Sequence, residues 1–198
     1  MAWAPDYATD AELAAYLRIT DSVDDAQLGL AVTAASRAVD RHTGRQFGKV
    51  AAAEERFYTP RWDRRRRRWV VEIDDLMTTT DLVVEIAGTA VTAFTLEPRN
   101  AAAEGKPWEL LVVDADSPTT PTGDEYEAAA TASWGWTAVP TTVKQATLLQ
   151  GSRFMARREA PFGVAGSPEL GSEVRLLARV DVDVAVMLGP YVRWWGAA

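Results

Sequence analysis

Apolar residues recur at the three- and four-residue spacing of an α-helix in the first quarter of the chain. Thr9 and Glu12 have the spacing of a capping box, which predicts a short helix after Thr9. A longer helix is predicted over residues 25–43, with Asp24 as its N-cap and Gly44 as the residue that ends it. The apolar side of this second helix consists of Leu28, Ala31, Val32, Ala35, Val39 and His42.

The pattern changes near residue 49 to short segments in which apolar and polar residues alternate. Turn-forming residues separate these segments, so each is predicted to be a strand. In the last segment one face is shared by Tyr126, Ala128, Ala130, Ala132, Trp134 and Trp136. The predicted strands are residues 56–58, 69–73, 82–86, 91–96, 108–113 and 126–136. They are enough for an independent antiparallel sheet or a small sandwich.

A third helix is predicted after the last strand. Pro140 suits the first turn of a helix, and Thr142 and Gln145 have the spacing of a capping box. The apolar positions of residues 143–159 spread around most of the helix cylinder. This distribution fits a helix buried in its own domain, or a helix that also packs against a neighbouring copy of the chain. For the second case the candidate subunit interface is Val143, Ala146, Leu149 and Phe154.

The sequence pattern in the C-terminal quarter predicts a loop followed by a last helix. Several glycines and prolines in residues 160–172 predict a long loop or arm. Asp181 is the predicted N-cap of the final helix, which Gly189-Pro190 should kink or interrupt. Two tryptophans near the terminus, Trp194 and Trp195, indicate contact with another chain.

A chain of 198 residues fits one domain, or one domain with an insertion. The predicted fold class is α+β. A small helical bundle is expected from residues 1–48 and 139–198, with an antiparallel β-sheet or sandwich inserted over residues 49–138.

Composition narrows the functional classes. The net charge is −7, which argues against a free-standing DNA-binding protein. The chain has no cysteine, and its one histidine, His42, lacks a second His or Cys to complete a metal-ligand set. No basic N-terminal region precedes an apolar run, and no apolar stretch approaches about 18 residues. We therefore expect a soluble protein made in a cytoplasm, with no membrane contact.

Five consecutive arginines are the strongest local signal: Arg64, Arg65, Arg66, Arg67 and Arg68. They lie where the predicted strands 56–58 and 69–73 should turn back on each other. Five like charges repel, so this tip must be solvated or matched by acidic groups. It is either an exposed hairpin tip on an acidic protein or a contact for an acidic partner surface or DNA phosphates.

Catalysis finds little support in the sequence. The acidic clusters Asp74-Asp75 and Asp114-x-Asp116 have too few carboxylates for a calcium loop and are interpreted as turn residues. No glycine-rich phosphate loop is present. We expect no catalytic, cofactor-binding or metal-binding residues.

Three passages of the chain have a characteristic order and spacing. The first is residues 9–47, ending in His42-Thr43-Gly44-Arg45-Gln46-Phe47. The second is Trp134-Gly135-Trp136 followed by residues 139–159, and the third is residues 181–193. Together they resemble the head-to-tail connector, or adaptor, proteins of long-tailed phages of the HK97-like group. The strand-rich middle departs from the all-helical members and looks like the insertion in connectors of actinobacterial phages.

The resemblance implies a non-enzymatic part of the virion neck, made in the host bacterial cytoplasm. It implies a ring of identical subunits, typically a dodecamer, seated beneath the portal protein. Genomic DNA would pass through the channel without specific binding, and the lower face would dock the tail terminator or stopper protein. Related connectors bind the portal through their C-terminal segment, which corresponds to Tyr191, Arg193, Trp194 and Trp195. The alternative is a nucleic-acid-binding packaging or regulatory protein that uses the arginine hairpin.

Overall fold

The computed structural model describes residues 4–114, 117–159, 164–165, 174–175 and 181–193. Over these ranges it confirms the α+β fold class, with four helices and two four-stranded antiparallel sheets. The chain divides into two compact units, residues 1–47 with 139–198 and residues 48–138. We call these the helical unit and the β unit.

The element bounds are as follows. The helices are α1 (Asp10–Leu17), α2 (Asp25–Thr43), α3 (Thr141–Glu159) and α4 (Val182–Leu188), and a 3-10 turn at Gly189–Tyr191 follows α4. The strands of the β unit are β1 (Glu54–Tyr58), β2 (Arg61–Asp63), β3 (Arg68–Leu76), β4 (Val83–Ile86), β5 (Thr89–Ala90), β6 (Phe94–Glu97), β7 (Trp108–Val113) and β8 (Ala128–Ala132). Two short strands, β9 (Val164–Ala165) and β10 (Val174–Arg175), pair with each other in the helical unit. None of the described helices is long and apolar enough to cross a membrane.

Three predicted helix boundaries are confirmed. Thr9 and Glu12 form a reciprocal capping box at the start of α1. Gly44 ends α2 in the left-handed conformation, with φ of 66°. The Asp181 carboxylate accepts hydrogen bonds from the backbone N–H groups of Asp183 and Val184 at 2.6 and 3.4 Å, and so caps α4.

Asp24 is the N-cap residue of α2, as predicted, but its side chain accepts no capping hydrogen bond, and its carboxylate binds the Arg158 guanidinium at 2.6 Å. The predicted capping box of Thr142 and Gln145 is wrong. Thr142 lies inside the first turn of α3 and cannot be its N-cap, since the helix already begins at Thr141. The first turn of α3 is closed by a backbone hydrogen bond, in which the Lys144 N–H donates to the Pro140 carbonyl at 3.0 Å.

Helix α3 is the central helix of the helical unit and contacts α1, α2 and α4. Val143 and Ala146 are completely buried, and the packing of Gly151 against Leu13 leaves little room for a side chain. Burial on several sides explains why the apolar positions of α3 do not form one stripe. Helix α3 is therefore buried in its own domain, and the additional contact with a neighbouring copy stays a prediction.

The β unit is a sandwich of two antiparallel sheets with strand orders β2-β3-β7-β6 and β1-β8-β4-β5. Their inner faces share one apolar core, formed by Val71, Ile73, Leu111 and Val113 from the first sheet and by Val84, Ile86, Ala128, Ala130 and Ala132 from the second. The last predicted strand is shorter than expected. It ends at Ala132, and Tyr126 lies before it with its side chain exposed.

The chain enters and leaves the β unit through a pair of adjacent segments, residues 48–50 and 134–136. The Trp134 carbonyl accepts the Val50 backbone N–H at 3.0 Å, and the Trp136 backbone N–H donates to the Gly48 carbonyl at 2.7 Å. The Trp136 indole also donates to the buried Asp75 carboxylate at 2.7 Å. We call this arrangement the clasp.

Candidate interaction surfaces

The five arginines lie on a hairpin between β2 and β3. Trp62 pairs with Trp69 and Asp63 pairs with Arg68, so residues 64–67 form the turn and Arg68 begins β3. The prediction that residues 56–58 would be the partner of β3 is wrong. Residues 59–60 interrupt the chain after β1, and β1 pairs with β8 in the other sheet.

Two of the arginines are matched by carboxylates. The Arg68 guanidinium donates to both Glu97 carboxylate oxygens at 2.6 and 2.7 Å, and these hydrogen bonds hold the pKa of Glu97 below its ordinary value. Asp63 accepts the backbone N–H groups of Arg66 and Arg65 at 3.0 Å, which lowers its pKa too. The Arg66 guanidinium lies 3.8 Å from the same carboxylate.

The other three arginine side chains, Arg64, Arg65 and Arg67, are exposed. Within the described ranges they form no ion pair. Beside them the partly exposed Trp62 ring packs edge-on against Trp69, with 5.3 Å between ring centroids. The hairpin therefore presents three unmatched positive charges next to an accessible aromatic ring.

This positive tip belongs to the more acidic of the two units. Residues 48–138 contain 10 Lys and Arg and 16 Asp and Glu, a net charge of −6. The tip is thus a local exception on a negative surface. Such separated charge favours a contact with a defined orientation over general attraction to polyanions.

Two of the candidate portal-binding residues are held by the helical unit itself. The Tyr191 ring packs edge-on against Phe47 at 5.6 Å, and its carbonyl accepts the Arg45 Nε–H at 2.6 Å. The Arg193 backbone N–H donates to the Thr43 carbonyl at 2.8 Å. Trp194 and Trp195 lie outside the described residues. Tyr191 and Arg193 are both partly exposed despite these contacts, and the hypothesis that they bind the portal stays a prediction.

The candidate subunit interface on α3 divides in two. Val143 and Ala146 have no exposed surface, so a neighbouring subunit would not contact them, and this part of the hypothesis is corrected. Leu149 and Phe154 are half-buried, and Phe154 packs on the apolar cluster shared by α1 and α2.

Other apolar side chains are exposed where the sequence reasoning did not place a site. Leu30 on α2 is 72% exposed, and it lies one turn from the exposed Ala26 and Ala34. Val182 and Val186, four residues apart on α4, are similarly exposed. These residues lie outside the buried face of each helix. Their positions in the helical repeat could therefore have identified them as exposed apolar residues from the sequence.

The acidic clusters are occupied by protein partners. Asp74 binds the Arg56 guanidinium at 2.8 Å and the Tyr58 hydroxyl at 3.0 Å. Asp114 accepts the Thr95 hydroxyl at 3.2 Å, and Asp116 lies outside the described residues. No group of three His, Cys, Asp or Glu side chains that could hold a metal ion occurs in the part of the chain that the structure describes.

Comparison with known proteins does not assign the chain to a family. No protein-family model matches the chain. No curated protein matches it either.

Proposed function

We propose that the chain is a structural subunit of the neck of a long-tailed phage virion. It forms a ring of identical copies under the portal, extends the DNA channel and docks the tail terminator or stopper protein. The resemblance in the order of the sequence passages supplies this class. The exposed apolar surface of the helical unit is the observation that supports assembly.

Leu30, Val182 and Val186 each leave most of a large apolar side chain in water. Burying apolar surface stabilises association by about 25 cal/mol per Å², so unpartnered helix faces favour contact with another helix. Val182 and Val186 lie on one side of α4, and Ala26, Leu30 and Ala34 share one side of α2. In a ring, one copy would present such a face to the next copy.

The acidic net charge agrees with a channel that lets DNA pass. A chain with 28 acidic and 21 basic residues repels phosphates on average, so the genome would slide without adhering. DNA would therefore move through the channel without being bound as a ligand.

The test is the mass and shape of the assembled protein. The full chain, alone and mixed with the portal protein of the same phage, is measured by native mass spectrometry and negative-stain electron microscopy. We expect closed rings, and we expect Leu30→Glu and Val186→Glu to abolish them. Gln145→Glu is the matched control, because it adds the same charge at an exposed position of α3. Monomers under both conditions, or rings that tolerate both apolar substitutions, would contradict the proposal.

The second candidate is a nucleic-acid-binding packaging or regulatory protein, favoured by the exposed Arg64, Arg65 and Arg67. Such a protein retains DNA at moderate salt, and its affinity falls steeply as salt rises. A filter-binding titration at two salt concentrations separates the candidates, because the ring subunit should show negligible retention at either.

A further inference from the structure

The β unit has a second surface whose chemistry is the opposite of the arginine hairpin. It is the outer face of the sheet formed by β1, β8 and β4. Two cross-strand rows build it, Glu55–Thr131–Val83 and Phe57–Ala129–Glu85. We call it the outer sheet face.

Phe57 and Val83 lie at one pair of diagonal corners of the outer sheet face, Glu55 and Glu85 lie at the other pair, and Thr131 and Ala129 lie between them on β8. Phe57 is 56% exposed and Val83 is 50% exposed, although both lie within regular strands. Neither Glu55 nor Glu85 forms an ion pair within the described residues. Strand spacing and rise place the Cα atoms of these two residues roughly 12 Å apart on the diagonal. The face therefore presents two exposed apolar side chains and two unmatched carboxylates at alternating corners.

The arginine hairpin carries the complementary groups. It presents an accessible Trp62 ring beside the unmatched side chains of Arg64, Arg65 and Arg67. We infer that the arginine hairpin of one copy binds the outer sheet face of a second copy. In this contact Trp62 packs on Phe57 and Val83, and the turn arginines pair with Glu55 and Glu85.

A second copy fits the hairpin better than a nucleic acid does. A phosphate backbone offers a charge about every 3.4 Å per strand and requires an extended positive track. Here the positive groups are confined to one turn, and carboxylates flank it: Asp63, Glu72 and Glu97. The rest of the β unit, with its net charge of −6, would repel a polyanion.

The two surfaces are different patches of the same unit, so the contact joins unlike patches from copy to copy. Such a heterologous contact generates a ring when the rotation closes and a filament when it does not. The inference deepens the proposed function by naming a contact between ring subunits, and it rests on that proposal for closure of the ring.

A charge exchange between the two surfaces tests the contact. The first variant carries Arg64→Glu and Arg65→Glu, and the second carries Glu55→Arg and Glu85→Arg. Each variant alone opposes like charges at every contact. In an equal mixture the two variants can alternate. The acidic hairpin of the first variant then meets the basic sheet face of the second, and the basic hairpin of the second meets the acidic sheet face of the first. Arg99→Glu is the control for a charge change at another exposed position of the β unit.

Association is measured on the full chain at low salt by sedimentation velocity and by cross-linking of single cysteines, Arg65→Cys on one copy and Val83→Cys on another. The natural chain has no cysteine, so every cross-link joins engineered positions, and each single-cysteine variant alone is the control for cross-links between like positions. We expect each charge variant to associate at least about tenfold more weakly than the unmodified chain, and the mixture to recover. Unchanged urea unfolding midpoints establish that the variants are folded.

Failure of the contact and failure of the proposed function give different results. If rings are absent but the charge exchange restores association, the ring proposal fails and the contact remains. If the cysteine pair does not cross-link, or each charge variant associates like the unmodified chain, the inference is overturned. It is overturned as well if the arginine substitutions abolish DNA retention and leave self-association unchanged.

Discussion

Replacing Gly135 with alanine probes the clasp of the β unit. Gly135 has φ of 102°, a conformation that residues with a side chain rarely adopt. A Cβ atom there would collide with the Gly48 carbonyl oxygen and would lie only 3.2 Å from the Lys49 Cα. Both neighbours are backbone atoms, so neither can rotate away as a flexible side chain could.

The expected loss of stability has two parts. Holding a non-glycine residue at this φ costs about 1–3 kcal/mol. Moving the Gly48 carbonyl breaks its 2.7 Å hydrogen bond with the Trp136 backbone N–H, and leaving a buried group unpaired costs about 1–3 kcal/mol more. We therefore expect Gly135→Ala to lower the free energy of unfolding by about 4 kcal/mol, a large part of the 5–15 kcal/mol typical of a domain.

Urea unfolding followed by tryptophan fluorescence measures this loss, because Trp134 and Trp136 are buried on either side of Gly135. Gly29→Ala is the matched control. Gly29 lies within α2, and an added Cβ would meet no atom within 4 Å, so this change should stabilise by about 0.5–1 kcal/mol. A loss below about 1 kcal/mol for Gly135→Ala would refute the description of the clasp as rigid backbone against backbone.

Two further predictions concern ion pairs. The hydrogen bond with Arg68 lowers the pKa of Glu97 in the folded chain below its ordinary 4.5. The pairing therefore stabilises the fold fully at pH values above 4.5. This stabilisation is lost as the pH falls through the folded pKa. Glu97→Gln should therefore cost about 1 kcal/mol at pH 7 and almost nothing near pH 2 in urea unfolding, whereas an equal cost at both pH values would contradict the pairing. Asp181 both caps α4 and binds the Arg153 guanidinium. Asp181→Ala removes both contacts and should lower the free energy of unfolding by about 2 kcal/mol. Asp181→Asn keeps the cap and should lower it by about half as much. Equal losses for the two variants in thermal unfolding would show that the cap contributes nothing.

Features that depend on sequence neighbours could be predicted. The capping box at Thr9, the ends of α2, the cap at Asp181 and the interruption at Gly189 each involve groups a few residues apart. Strand alternation likewise located the β-rich segment between the helical segments, because the period of two reports burial on one face.

Features that depend on distant residues could not be predicted. Asp24 has the sequence of an N-cap, but Arg158, far along the chain, takes its carboxylate. The partner of β3 was misassigned because alternation does not specify which strands pair. The outer sheet face combines Phe57 and Val83 from strands that only β8 brings together, so no local pattern could have located it.

The clasp has a consequence for how this chain can be rearranged. Because residues 48–50 and 134–136 hydrogen-bond to each other, the β unit begins and ends at the same place. A host protein accommodates such a module at a single peptide position, without spanning any distance between its ends. Grafting residues 48–138 into a surface turn of an unrelated scaffold would transfer the arginine hairpin and the outer sheet face together. One recombination event would be enough to add or remove both.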